Sequence, residues 1–290
     1  MKLNKIKSFY AVIITVFLML TLTACDSSTV NSPNSNENKN VKIHYIDVGQ
    51  GDSTLIQVRD KNILIDAGPR SSAEDLVKYL KDINIQKLDY VIATHPHEDH
   101  IGGMVSIIKT FKIGEFYAPK KTATTKTFEN MIKELQNKKL KIQVAKAGNE
   151  ISLNSNSKLE FLAPNSSDYE EINDYSAVTK LTYEDNSFIF MGDAERLSEK
   201  EILQKGSNVK AQVIKLGHHG SSTSSSKEFL DKVDPKYAII SCGKNNDYGH
   251  PHKETINELK NRNIKYFRTD TNGTIVLYSD GKNIEFKNNR

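Results

Sequence analysis

The 290-residue sequence contains no tryptophan and only two cysteines, Cys25 and Cys242. If Cys25 is consumed by modification, Cys242 is a lone thiol and no intramolecular disulfide can form. The fold must then rest on an apolar core, and a composition of 37% hydrophobic and 26% charged residues allows one. A strong excess of one charge is also missing. The formal net charge is +4, and Lys2, Lys5 and Lys7, with no acid in the first 24 residues, supply +3 of it. The remainder is near neutral, so bulk charge gives no argument for nucleic-acid binding and leaves only a local basic groove open.

Three lysines followed by an apolar stretch from Phe9 to Leu22 have the form of a secretory signal. The stretch is short for a membrane span, which takes about 20 residues. It ends in Leu22-Thr23-Ala24-Cys25, which resembles a bacterial lipobox. That resemblance implies cleavage before Cys25 and a diacylglycerol on its sulfur. Residues 25–40, polar and poor in core-forming side chains, read as a flexible tether. The expected organisation is a signal at 1–24, a tether at 25–40 and one domain at 41–290, exported and lipid-anchored to the outer face of the cell membrane.

Within 41–290 the hydrophobic pattern alternates between short strands and amphipathic helices. Strands are expected at 42–48, 53–58, 62–65, 88–93, 114–118, 141–144, 158–162, 177–183, 187–191, 209–216, 236–241, 264–267, 273–279 and 282–286. Helices are expected at 71–83, 101–108, 126–137, 195–204, 225–232 and 253–261. With no internal repeat and no second linker, this mixture predicts one α/β (α+β) domain with helices outside mixed sheets.

The chemistry concentrates in His95-Pro96-His97-Glu98-Asp99-His100, directly after an apolar strand. Imidazole and carboxylate suit zinc and other first-row metals. In extended chain, residues two apart point to the same side, so His95 and His97 can grip one ion. Asp99 and His100 lie past a bend and can face a neighbouring position. Gly102-Gly103 removes side-chain bulk behind the cluster.

Thr94 to Gly103 resembles the His-x-His-x-Asp-His signature of the metallo-β-lactamase superfamily. The resemblance implies an αββα sandwich with one or two metal ions, zinc or alternatively manganese, at one edge. Ile65-Asp66-Ala67-Gly68 is similar to its first motif, whose Asp orients the metal loop. Phe190-Met191-Gly192-Asp193 resembles the strand that delivers a bridging Asp, and Leu216 to Ser221 resembles the last ligand motif. The Asp47-Val48-Gly49-Gln50-Gly51-Asp52-Ser53, His218-His219-Gly220-Ser221 and Gly249-His250-Pro251-His252 stretches look like the extracellular hydrolase domain of ComEC-type DNA-internalisation proteins. The many-helix membrane channel of those proteins is absent from this sequence. His97 stands where ComEC domains commonly have Asp, and 101–192 holds no His, where many superfamily members supply one. Asn173-Asp174-Tyr175-Ser176 is the matching segment, so Asn173 and Ser176 are expected beside a metal with one protein ligand fewer.

The ligand set implied is His95, His97, Asp99, His100, Asp193 and His219. Asp193 alternatively caps a helix at 195–204. His218 and His219 cannot both face one way from extended chain, and His219 aligns with the single ligand of related motifs. His250 is a candidate general acid or phosphate contact, or else a surface turn residue. Asp52 either touches the site or caps its turn. Ser221 to Ser226 is a candidate flexible, phosphate-binding lip; His252 and His44 are expected to be structural. The expected activity is metal-dependent hydrolysis with metal-activated water, Asp99 or Asp193 orienting the nucleophile. An extracellular phosphodiester, with DNA among the candidates, is the first substrate class. A cell-wall phosphorylcholine-type esterase, a β-lactamase or lactonase, and a non-catalytic surface binding module are the alternatives.

Overall fold

A computed structural model describes residues 41–154 and 157–288. The signal, the tether and the lipidation residue Cys25 lie outside the described residues. Among the described residues, no helix is long and apolar enough to cross a membrane.

The strands are two-faced because apolar residues alternate along them. In β1 (Val41–Tyr45), Val41, Ile43 and Tyr45 face one core, while Ile46 and Val48 just past it face another. β2 (Thr54–Val58) and β3 (Lys61–Ile65) repeat this, with Ile56, Ile63 and Ile65 on the first side and Leu55 and Leu64 on the second. β4 (Lys87–Ile92), β5 (Lys112–Ala118) and β6 (Ile142–Val144) extend this sheet. A second sheet holds β7 (Glu150–Asn154), β8 (Ser157–Phe161), β9 (Thr179–Tyr183), β10 (Asn186–Phe190), β11 (Val213–Lys215), β12 (Tyr237–Ile240) and β13 (Lys265–Arg268). The chain returns to the first sheet in β14 (Ile275–Ser279) and β15 (Ile284–Asn288). The orders are β15-β14-β1-β2-β3-β4-β5-β6 and β13-β12-β11-β10-β9-β8-β7.

Three apolar layers follow. Tyr45, Ile56, Phe161, Phe188, Phe190 and Val213 fill the space between the sheets. Leu76, Leu80, Met104, Ile107 and Met131 join the outer face of the first sheet to α1 (Ala73–Asp82), α3 (Met104–Thr110) and α4 (Lys126–Asn137). Ile202, Phe229, Leu230 and Leu259 join the second sheet to α5 (Arg196–Gln204), α6 (Lys227–Val233) and α7 (Lys253–Asn261). This is the expected four-layer αββα sandwich. Each fully buried Phe or Ile stabilises it by about 1.5–3 kcal/mol.

Parallel pairs join β3 to β4, β4 to β5, β10 to β11, β11 to β12 and β12 to β13. Their carboxyl ends carry loops that can be varied without disturbing the ladders, the usual place for a site in such sheets. Asp66, His95, His97, Asp193 and His219 are in the connections that leave these ends, and Asp99 and His100 are in the short helix that follows His97.

Four details differ from expectation. The helix expected over 101–108 begins inside the histidine motif as α2 (Glu98–Ile101), breaks, and resumes as α3. At the break, a Cβ on Gly103 would stand 2.3 Å from the Ala67 carbonyl oxygen, so only glycine lets this turn lie against the end of β3. β11 is three residues long, not the eight of 209–216. β7 was not anticipated, because on this edge strand only Ile151 and Leu153 are buried. A short α8 (Thr269–Asn272) precedes β14.

Candidate metal centre

Asp66, fully buried and in left-handed backbone with φ 59°, organises the histidine loop. Its Oδ1 accepts from the Thr94 backbone N at 2.8 Å. Its Oδ2 accepts from Thr94 Oγ1 and lies against His100 Nδ1, each at 2.7 Å. A proton on Nδ1 is thereby held, and Nε2 is turned away from Asp66 with its lone pair free for a cation. Burial lifts the Asp66 carboxyl above its ordinary range, against the pull of His100.

The free ends meet in two groups that share Asp193. Ligand atoms of Asp99, His100, Asp193 and His219 all lie within 4.8 Å of one another. His100 Nε2 is 3.2 Å from Asp193 Oδ1, and neither atom has a hydrogen-bond partner although both are buried. His219 Nε2 stands 3.1 Å from Asp99 Oδ2 and 3.5 Å from Asp193 Oδ2. Beside this group, His95 Nε2 is 3.0 Å from His97 Nδ1 and 3.9 Å from Asp193 Oδ2. Buried polar atoms that converge with no hydrogen-bond partner, as His100 Nε2 and Asp193 Oδ1 do, are arranged for a common partner.

The electrostatics ask for positive charge. Burial opposes ionisation of Asp99 and Asp193, yet the neighbouring His100 and His219 hold both well below the usual carboxylate range. Burial would also lower His219, but Asp193 and Asp52 outweigh it and raise it to about 10. His100 is raised well above its ordinary value, because Asp193, Asp66 and Asp99 outweigh burial. Here two protons meet a carboxylate excess that a divalent cation would otherwise meet. His95 goes the other way: burial, then His100, keep it neutral, the form that ligates a metal. The donor set of imidazole and carboxylate fits zinc or manganese.

His218 and His219 are not in extended chain. Both have left-handed backbone, φ 47° and 53°, a costly conformation for non-glycine residues that tends to mark functional turns. The turn sends the two rings apart. His219 is buried, with Nδ1 3.0 Å from the Ser241 carbonyl, which it donates to, and Nε2 toward Asp99. His218 is half-buried, and its Nδ1 donates to Glu195 Oε1 at 2.9 Å.

Asp52 lies behind the ligands rather than capping its turn. Its Oδ2 pairs with Lys215 Nζ, and its Oδ1 is 3.3 Å from His219 Nδ1. Lys215 was not anticipated, although a lone charge in the apolar run Val213-Ile214-Lys215-Leu216 was a usable signal. Ser176 Oγ accepts from the Asp193 backbone N at 3.1 Å and lies 3.4 Å from His95 Nδ1. Asn173 stands beside His97, with Nδ2 donating to Glu195 at 3.3 Å and a buried Oδ1 that has no hydrogen-bond partner. Asp193 does not cap α5; Asp174 Oδ1 does, accepting from the backbone N of Glu195 and Ser198.

The serine stretch is no open lip. Ser221 Oγ is tied to Thr223, Ser224 Oγ donates to the Gly217 carbonyl, and the backbone of Ser225 and Ser226 donates to Glu199. Ser221 is buried away from the pocket because its hydroxyl closes this local turn. His250 does line the pocket, and burial, then His219, lowers it to about 4. It is a neutral imidazole at pH 7, so it can hydrogen-bond an oxygen but is not a protonated general acid. His252 is structural, accepting from Ser222 N and facing the Tyr248 carbonyl. His44 lies between Tyr79 and Gln57, in the outer face of β1, remote from the loops of the site.

These groups floor an open pocket of about 290 Å³, lined by Gln50, His97, Asp99, Asn173, Tyr248 and His250 among others. Imidazoles and carboxylates converging at the strand ends of an αββα sandwich define a metallohydrolase-type centre. Residues 46–244 match the metallo-beta-lactamase superfamily. The chain belongs to that superfamily: it is a metal-dependent hydrolase of the metallo-β-lactamase fold, related to competence proteins. It is 34% identical over 254 residues to ComE operon protein 3 of Bacillus subtilis (strain 168), covering 81% of this chain and 32% of that protein. It is 29% identical over 237 residues to Competence protein ComA of Neisseria gonorrhoeae, covering 79% and 31%. The chain thus spans about a third of the length of these curated relatives. The metallo-beta-lactamase fold protein YhfI from Bacillus subtilis shares the fold, with a TM-score of 0.52, 12% identity, and coverage of 79% of this chain and 95% of that one.

Proposed function

We propose that this protein is a phosphodiesterase that hydrolyses an extracellular phosphodiester, with single-stranded DNA a candidate, from a lipid anchor at Cys25 on the outer face of the membrane. The observation that carries the reading is Asp193 lying within 3.9 Å of His95 and 3.2 Å of His100, between two groups of ligand atoms. Such a pair of positions suits clamping the two sides of a displacement at phosphorus.

His95, His97 and Asp193 would hold one ion, and Asp99, His100, His219 and Asp193 the other. When bound there, a metal would supply hydroxide at neutral pH by lowering the pKa of its water to about 7. Asp99, ionised and facing the pocket, accepts a hydrogen bond from the attacking water and orients it. Asp66 holds the Nδ1 proton of His100 and the Ser241 carbonyl that of His219, which keeps each Nε2 directed inward. His250, neutral, offers a hydrogen bond to a substrate oxygen.

A basic groove supports a polyanionic substrate over a β-lactam. Glu98 lines the metal pocket and accepts from the Arg70 backbone N at 2.8 Å. Arg70 also lines a groove of about 590 Å³ with Lys109, Lys133, Glu134 and Lys126, the last paired with Glu129, so cations outnumber acids there. Exposed cations in such a groove attract phosphate chains in a salt-dependent way.

The test is turnover of bis-p-nitrophenyl phosphate and single-stranded DNA by zinc- or manganese-loaded protein, with nitrocefin alongside. Phosphodiester cleavage abolished by chelator and by Asp193→Ala is expected. Nitrocefin hydrolysis without phosphodiester cleavage would overturn the reading.

A further inference from the structure

Tyr248 is the most exposed of the four large apolar side chains that the described residues leave open to solvent, at 68%. It is also on the rim of the metal pocket, together with Asp99, Asp193, His219 and His250. A large ring left in water beside a reactive centre gains nothing for the fold.

The ring is held, not loose. It stacks on His250, with centroids 5.6 Å apart and planes at 18°. Its loop is pinned on both sides. Asn246 Nδ2 donates to the His250 carbonyl at 2.6 Å, and His250 N donates to Asn246 Oδ1 at 2.9 Å. His252 Nε2 lies 3.2 Å from the Tyr248 carbonyl. Below the ring, His250 Nδ1 is buried and has no hydrogen-bond partner. The rim therefore couples an unspent polar atom near the metal ligands to a pre-ordered aromatic face just outside them.

We infer that Tyr248 is a stacking platform for a nucleobase attached to the phosphate in the metal pocket, which makes the substrate a single-stranded nucleic acid. The inference rests on the phosphodiesterase reading for its chemistry. A base paired in a duplex has its faces covered, so only an unpaired one can lie on the ring. A choline head group is the weaker occupant. Quaternary ammonium recognition uses a cage of aromatic rings, and among the described residues Tyr248 is the single Phe, Tyr or Trp lining this pocket.

The test compares a short oligothymidylate with a strand of the same length made of abasic residues, so that charge is equal and only the bases differ. The wild-type protein, metal-loaded, should cleave the base-bearing strand with a KM lower by about 5- to 160-fold, the range of one stacked base. Tyr248→Ala should bring that ratio close to one, and Tyr248→Phe should restore it, since the ring and not the hydroxyl stacks. Binding is read separately, without metal. The chain has no tryptophan, so Tyr248→Trp carries a single indole whose fluorescence should be quenched by oligothymidylate and not by the abasic strand. Equal cleavage and equal binding of the two strands would overturn the platform and leave the phosphodiesterase reading intact. Selective quenching without cleavage of either strand would overturn the phosphodiesterase reading and support the platform.

Discussion

Lys215 and Asp52 form an ion pair behind the metal pocket, each almost wholly shielded from solvent, with Lys215 Nζ also donating to the Gly192 carbonyl at 3.3 Å. The pair links β11 to the turn before β2 and sets the carboxylate that faces His219 Nδ1. Removing one partner leaves a buried charge alone, which costs about 3–5 kcal/mol. Lys215→Met should lower unfolding free energy in urea by that amount. Adding Asp52→Asn to Lys215→Met should recover part of the loss, since the orphan charge is then gone. An unchanged urea midpoint for Lys215→Met would show that the pair is not buried as described.

The Asp66 carboxylate touches no ligand atom that faces the pocket; it holds the Nδ1 edge of His100 and the backbone N and hydroxyl of Thr94. Replacing it acts on metal affinity through ring orientation. Asp66→Asn should weaken zinc binding by roughly 10–100-fold in a competition titration with a chromogenic chelator. Affinity equal to wild type would remove its orienting role.

Asn173 occupies the place where a ligand His is absent from 101–192, with its Oδ1 buried, unpartnered and beside His97. Asn173→Ala should weaken the more loosely held of two zinc equivalents by about 10-fold, and Asn173→Asp should tighten it. Isothermal titration and metal content by mass spectrometry both read this. Identical stoichiometry and affinity in all three proteins would assign the position to water alone.

His44 gives a pH dependence separate from the metal centre. Burial, then Lys42, lowers its pKa to about 4, against 6.5 for the ordinary side chain. The unfolded chain therefore binds this proton first as pH falls. Stability is full above pH 6.5 and declines between there and pH 4, by about 3 kcal/mol for this group. Urea unfolding with chelator present, at pH 7 and pH 4, should show a shallower loss in His44→Gln than in wild type. Parallel losses would mean that other groups carry the acid sensitivity.

Much of this molecule was legible locally. The period-two alternation of Val41, Ile43 and Tyr45, and of Phe188 and Phe190, marks strands with one face in a common core. The 126–137 periodicity marks its helix. Three histidines and an aspartate within six residues mark a metal loop without reference to anything distant. What stayed hidden has no local signature. The lone charge of Lys215 in an apolar run hints at a buried pair, but its partner stays hidden until β11 pairs with β10 and brings it against Asp52, 163 residues away. The serine stretch looks like a flexible lip until the buried Glu199 collects its backbone donors. The two histidines at 218–219 diverge because the backbone there is left-handed, which no hydrophobic pattern reports.

Residue type and short-range spacing thus decided the chemistry available: imidazoles and carboxylates, delivered at the ends of apolar strands. Which of them share an ion-sized space, which carry protons, and that Tyr248 stands over the pocket depended on tertiary structure. Desolvation, charge coupling and loop packing act between groups far apart in the chain, and only the folded sandwich brings those groups together.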